Sequence, residues 1–324
     1  MPISAYPANI IIFIHYLCAM EKFYGEICQF LHERDLYIYK VREGNGYISV
    51  KAELPQRSIL RPLLLLGITA DSMEEAISQH SEACTEITKL KEEFGNYPLI
   101  ISEDRWIRQK EMTRARLLAH LEIFSQIYAR NCVIKRIDKA IAQDFLEANH
   151  SYGDAACKYR YGLYLKRHTG HNAACHAEQS EASLPSGTLV AVATFSNARK
   201  WVKGDKTIRS YEWTRYASLP GIRLSGGMGK VLKAFIEDIN PDDIMTYADL
   251  EWSEGKVYEQ LGFALEGIKE AVTFEINSEY RRLPHRFRSH AMTLELPTQE
   301  NGSSCRYLIN FGSNKYRLKL TDYQ

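Results

Sequence analysis

The stretch Gly221 to Phe263 (GIRLSGGMGKVLKAFIEDINPDDIMTYADLEWSEGKVYEQLGF) constrains the fold more than any other part of the chain. A glycine-rich turn, Ser225-Gly226-Gly227-Met228-Gly229, opens a helix that runs to about Asp238. A strand over Asp243 to Ala248 follows, then a short helix near Gly255 to Leu261. Free N–H groups at a helix N-terminus, together with the helix dipole, bind phosphate or pyrophosphate. Glycines let such a ligand approach the backbone closely. Arg223 and Lys230 flank the turn and could add charge-assisted bonds. A P-loop is excluded, because Gly229-Lys230-Val231 lacks the Ser or Thr that binds magnesium. A dinucleotide fingerprint is excluded too, because no strand directly precedes the turn.

The 324 residues are about twice the length of a usual single domain, so two domains are expected. An apolar fraction of 45% and a charged fraction of 25% are those of a soluble globular protein. With a formal net charge of +1, attraction to nucleic acid or membrane must come from local patches. The seven cysteines are scattered, odd in number and without a CxxC pair. That pattern points away from disulfides and structural zinc and toward a reducing cytoplasm. Asn9 to Met20 is apolar but too short to span a bilayer, and it lacks the marks of a signal peptide. It reads either as a short native segment or as residues preceding a start at Met20.

From Met20 to Glu103 the pattern is that of a smaller α/β domain without a catalytic motif. It comprises a helix over Glu21 to Glu33, strands over Leu36 to Arg42 and Tyr47 to Glu53, and a hairpin turn at Asn45-Gly46. A buried strand over Leu63 to Ile68, a helix opened by Asp71-Ser72 and a strand over Pro98 to Ser102 complete it. Leu117, Leu121, Phe124 and Tyr128 recur at helical spacing, which predicts one connecting helix from Asp104 to about Ala129. From Asn131 onward strands and helices alternate. His168 to Ser186 is small, polar and non-periodic, and reads as a disordered insertion between two strands. His168, His171, Cys175 and His176 look like metal ligands, but without a rigid frame their spacing specifies no site, and no metal is expected.

Tyr258-Glu259-Gln260-Leu261-Gly262-Phe263, following the glycine turn and the strand, resembles the Y-x-x-x-G-F segment of the GNAT N-acetyltransferase superfamily. The span Tyr247 to Phe263 looks closer still to a divergent phage and bacterial branch that includes the DNA-modification protein Mom. That branch also looks to carry a Glu and an Arg on the preceding strand, here Glu212 and Arg215. The resemblance covers about Asn131 to Leu320. Met228 stands where the family's glycine motif has a small residue.

The resemblance implies an α+β domain with a mixed sheet splayed open near Ser210 to Ala217 and Ile244 to Ala248. It also implies acetyl-CoA or another acyl-CoA as co-substrate, its pyrophosphate held at Ser225 to Lys230. Tyr258 would be the acid that protonates the leaving thiolate, or else an aromatic packed between helix and sheet. Glu212, Asp249 and Glu251 are candidate bases, although Asp249 and Ser253 could instead cap the next helix. His150, in the loop after the first helix of this half, would border the acceptor amine, whose identity the sequence does not give. The segment Tyr280 to His290 gathers Arg281, Arg282, Arg286 and Arg288, which would suit phosphate or nucleic acid, or simply a solvated loop. Three functions follow: an acyltransferase, a nucleic-acid-binding or base-modifying protein of phage or mobile-element type, or an inactive GNAT scaffold.

Overall fold

The computed structural model describes residues 8–54, 59–166, 184–285 and 305–322. In chain order the first elements are α1 (Ala8–His32), β1 (Tyr37–Gly44), β2 (Tyr47–Leu54), β3 (Ile59–Leu66), α2 (Met73–Phe94) and β4 (Leu99–Ser102). Next come α3 (Glu103–Arg108), α4 (Lys110–His120), β5 (Ser125–Tyr128), β6 (Cys132–Arg136), α5 (Lys139–Asn149), β7 (Tyr159–Leu165) and β8 (Leu189–Phe195). Then follow β9 (Arg199–Lys203), β10 (Lys206–Ser218), β11 (Ile222–Ser225), α6 (Gly227–Ile239), β12 (Asp243–Asp249) and α7 (Lys256–Gln260). The last are β13 (Ala264–Lys269), β14 (Thr273–Ile276), β15 (Arg282–Pro284), β16 (Arg306–Ile309) and β17 (Ser313–Lys319). Two compact units divide the chain: residues 1–110, 249–253 and 270–312 form the first, and 111–248, 254–269 and 313–324 the second.

In the first unit, β1 to β4 form a sheet in that order, antiparallel except for the parallel β3–β4 pair. Ser72 caps α2 by accepting a hydrogen bond from the Glu75 amide, and Gly95 ends it in the left-handed region. The apolar face of α2 (Ala83, Ile87, Leu90) buries against Leu64, Leu66 and Ile100 of the sheet. β15, β14 and β16 form a separate three-stranded antiparallel sheet within this unit.

In the second unit seven strands run in the order β13-β17-β12-β10-β8-β7-β6, with β9 added beside β10. The sheet is mixed: β10 and β12 are parallel, while β6–β7, β7–β8, β8–β10 and β13–β17 are antiparallel. Helices cover both faces. On one, Val231, Leu232 and Phe235 of α6 enter a core with Tyr161, Phe195, Tyr211 and Trp213. On the other, Ala142, Phe145 and Leu146 of α5 pack on Val192 and Ala217. This is the mixed, splayed α/β sheet expected of the second half.

Three expectations are corrected. Asp104 to Ala129 is not one helix but α3, α4 and β5. Glu122 takes φ +62 just after α4, a left-handed turn that no glycine announces. A strand, β11, directly precedes the glycine turn, where none was expected. Finally, α1 begins at Ala8, well before Glu21. The pair β7–β8 that flanks the insertion is formed, while residues 167–183, with the four suspected metal ligands, lie outside the described residues.

Candidate active site

The parallel register of β10 and β12 covers only Ser210–Asp243, Tyr211–Ile244 and Glu212–Met245. Beyond it the strands part. At the opening, the buried Thr246 of β12 donates from Oγ1 to the Trp213 carbonyl of β10 at 3.1 Å. Tyr258 stands over this seam. Its ring meets Trp213 edge-on at 6.1 Å and lies 5.5 Å from Tyr316 and 5.7 Å from Phe263. Burial raises the Tyr258 pKa, while the Thr246 hydroxyl beside it and Arg116 act in the opposite direction. Ring packing and a hydroxyl in the seam therefore coexist in one residue. Gly255 makes the entry to α7 feasible: its φ is +88, and a Cβ there would meet Ala248 Cβ at 2.6 Å and Tyr316 Cε2 at 2.7 Å.

The glycine turn follows β11, which pairs in parallel with β5. Gly226 is the N-cap of α6, at φ +75, and offers no side-chain cap. The amides of the first helical turn therefore lack a capping partner from Gly226. The predicted cradle residues have diverse surroundings. Arg223 is exposed, its guanidinium 5.0 Å from the Phe124 ring centre. Ser225 Oγ accepts from Gln126 Nε2 at 3.0 Å. Met228 is half-buried against the α6 core, and a Cβ on Gly229 would rest 3.4 Å from Leu261. Gly227 is buried, and a Cβ on it would meet the Tyr216 hydroxyl at 2.5 Å and Leu224 Cδ2 at 2.7 Å, so packing already requires a small residue. Lys230 points its ammonium at the carbonyls of Ala129 (2.9 Å) and Cys132 (2.6 Å), tying α6 to the start of β6 rather than standing free for a phosphate.

The acidic candidates separate. Glu212 lies on β10 next to the seam, its amide bonded to Ser196 Oγ at 2.9 Å. His150 follows α5, and its Nδ1 accepts from the Tyr152 amide at 3.2 Å. Asp249 and Glu251 fall in the first unit. Asp249 Oδ1 accepts from the Glu251 amide, and its carbonyl from the amides of Trp252 and Ser253, so it shapes the turn after β12.

Glu251 is corrected as a base. It is 1% exposed and bridges Arg105 (2.6 Å) and Arg282 (2.8 Å). Burial opposes its charge, but the two guanidiniums outweigh burial and hold the carboxyl below its usual range. Arg282 is corrected as a phosphate contact: it also binds Asp104 (2.6 Å) and Ser102 Oγ (2.7 Å). Arg281 is exposed and pairs with Glu279 at 3.0 Å. Arg286 and Arg288 lie outside the described residues.

The sequence reading missed Thr246. Its only signal is a hydroxyl at an inward position of an apolar strand. Among the described residues no group of three His, Cys, Asp or Glu side chains is placed to hold a metal, and no helix is long and apolar enough to cross a membrane.

No protein-family model and no curated protein matches the chain. Among solved structures it is similar to a histone acetyltransferase HPA2-related acetyltransferase from Corynebacterium glutamicum. The identity is 10% and the TM-score 0.32, with 60% of this chain and 99% of the other covered. It is also similar to a chain of the KacTA–DNA complex, at 15% identity and a TM-score of 0.27, covering 42% of this chain and 86% of the other. Identities and scores this low assign neither family nor activity.

Proposed function

We propose that the second unit is an acyl-CoA-dependent N-acyltransferase of the GNAT type. The observation that carries this reading is the seam: a parallel pair that opens after three residues, with the Tyr258 hydroxyl beside Thr246 at the opening. Strands that diverge leave backbone amide groups unpaired, and an extended amide-bearing arm such as that of CoA can pair with them. The uncapped start of α6, which follows the same strand by way of β11, would take the pyrophosphate.

The reaction needs three things. An amine nitrogen attacks the thioester carbonyl, forming C–N and breaking C–S. A carboxylate would accept the proton lost by the amine, and Glu212 on β10 is the proposed base. The departing thiolate takes a proton from an acid, and Tyr258 would supply it; a phenol raised in pKa by burial stays protonated until needed. The narrower likeness to the Mom-containing branch rests on the spelling of Tyr247 to Phe263 and on Glu212 and Arg215 of the preceding strand.

Calorimetry with CoA and acetyl-CoA is the first test, followed by Tyr258→Phe. Phenylalanine keeps the ring contacts with Trp213 and Tyr316 and removes only the hydroxyl. Binding should persist while turnover falls by about 100-fold or more, the usual scale for losing a general acid. Absence of CoA binding to the wild type would sink the enzyme reading and leave an inactive scaffold.

A further inference from the structure

On the α5 face of the second unit's sheet, three residues stand in one row across three strands. Arg160 of β7 is opposite Thr194 of β8, which is opposite Arg215 of β10. The neighbouring row, Tyr159–Phe195–Trp213, points into the α6 core, so the Arg160 row faces the other way. A β-bulge between Trp213 and Arg215 brings Thr214 to the same side, where Thr194 Oγ1 and Thr214 Oγ1 are 2.8 Å apart. Glu212, two residues before Thr214, belongs to this face by strand alternation. The loop after α5 closes over the row: Arg215 Nε donates to the Gly153 carbonyl at 3.1 Å, and Arg160 NH2 to the Cys157 carbonyl at 2.8 Å.

Among the described residues the two guanidiniums have no carboxylate partner within bonding reach. Arg160 and Arg215 donate to backbone carbonyls, and among the described residues neither forms an ion pair. Arg160 Nε is buried without a hydrogen-bond partner. In the loop that covers the row, Asp154 Oδ1 is a buried acceptor without a partner. Glu212 and Asp154 act on Arg215 only through space, and burial, the larger influence, disfavours its charge. Leaving such groups unmatched costs stability, so buried orphans of both signs call for an occupant. Arg160, Arg215, Asp154 and Glu212 form a cluster that is neutral overall but dipolar.

Resting on the acyltransferase reading, we infer that this charged cluster binds the acceptor, and that the acceptor is a small amine carrying its own anionic oxygen group, a carboxylate or a phosphate. The anionic group would lie between the Arg160 and Arg215 guanidiniums, whose planar donor sets match it. The amine would lie toward Glu212, the carboxylate nearest the seam in sequence. The orientation follows from charge alone, since reversing it would set like charges together.

The test has two arms. In the first, without CoA, binding of acetate and of inorganic phosphate is followed by thermal shift on wild type, Arg160→Met and Arg215→Met. Stabilisation should be seen in the wild type, be lost in both variants and return in Arg160→Lys. In the second arm, CoA release from acetyl-CoA is measured with glycine and phosphoethanolamine against glycinamide and ethanolamine. The anionic amines should exceed their neutral partners in kcat/KM by at least about tenfold, because a buried charge left unpaired penalises the neutral analogue. Whichever of the two anionic amines is preferred identifies the anion as carboxylate or phosphate. In both Arg variants the ratio should fall toward one. Neutral amines acylated as well as anionic ones, or ratios unchanged in the variants, would overturn the inference and leave the enzyme reading intact. Anion binding lost in the variants without any thioester turnover would keep the anion site and sink the enzyme.

Discussion

Each unit places a pair of arginines against its sheet, and the two pairs are treated in opposite ways. In the first, Arg105 and Arg282 are 4% and 12% exposed and ion-paired with the buried carboxylates of Asp104 and Glu251. In the second, Arg160 and Arg215 meet carbonyls and no carboxylate within bonding reach. The same side chain thus closes one region and leaves the other open. The ion-paired network ties Glu251 and Arg282 to Arg105 and Asp104. Guanidiniums held only by carbonyls mark a place where the fold has not supplied a carboxylate.

The largest effect should come from opening the closed pair. Arg282→Met leaves Asp104 and Glu251 buried with half their compensation. Removing one partner of a buried ion pair costs about 3–5 kcal/mol, read by denaturant unfolding. Arg215→Met should cost far less, because no buried carboxylate is abandoned within bonding distance. The effect has a pH signature. Asp104 and Glu251 are both held below the ordinary carboxylate range, burial opposing and the guanidiniums prevailing. Groups with depressed folded pKa values stabilise above the unfolded value and lose that contribution as pH falls through the folded one. The gap between wild type and Arg282→Met should therefore be full at neutral pH and shrink only below about pH 4. A gap that stayed constant into acid, or equal losses for Arg282→Met and Arg215→Met, would dissolve the contrast between the units.

A smaller effect separates packing from binding inside the second unit. Gly227 is pressed by the Tyr216 hydroxyl and by Leu224, so Gly227→Ala should cost about 1–3 kcal/mol as overpacking, with or without any ligand. Tyr216→Phe removes the nearest atom and should recover part of the loss in a double-mutant cycle. Gly226 has no such neighbour within 3.7 Å, and its constraint is the left-handed φ alone. If Gly227→Ala leaves stability untouched and abolishes CoA binding instead, the glycine serves the ligand and the packing account is wrong.

How far the sequence carried these conclusions depended on whether each local signal was unopposed. The order from α6 to α7 was legible because turn glycines, helix and strand agreed, whereas the strand β11 just before the turn was not expected. Ser72 was legible as a cap because its side chain acts on its own neighbours. β13 was invisible: nearly all of it is exposed on both faces at a sheet edge, so no alternation marks it. The break after α4 was invisible because Glu122, not glycine, turns left-handed there, while Leu117 and Leu121 sustain a helical period up to the break. At the site, Tyr258 was legible from its motif. Thr246 and Arg160 were not, since their meaning comes from strand registers that only the fold sets.

Arg281 and Arg282 give the smallest predicted effect and the sharpest form of the contrast. They are neighbours in sequence, read alike as members of one basic cluster, and differ only in which way the chain turns them. Arg282 is the first residue of β15 and enters the buried network, whereas Arg281 precedes the strand and remains exposed. Its partner Glu279 is exposed as well, at 64% against 59% for Arg281. An exposed pair contributes about 0–1 kcal/mol, because water screens the attraction and ordering two long side chains offsets it. Arg281→Gln should therefore move the denaturant midpoint by no more than about 0.5 kcal/mol, and salt should erase even that. A loss comparable to that of Arg282→Met would mean that charge in this segment stabilises by sheer number, not by what each guanidinium touches.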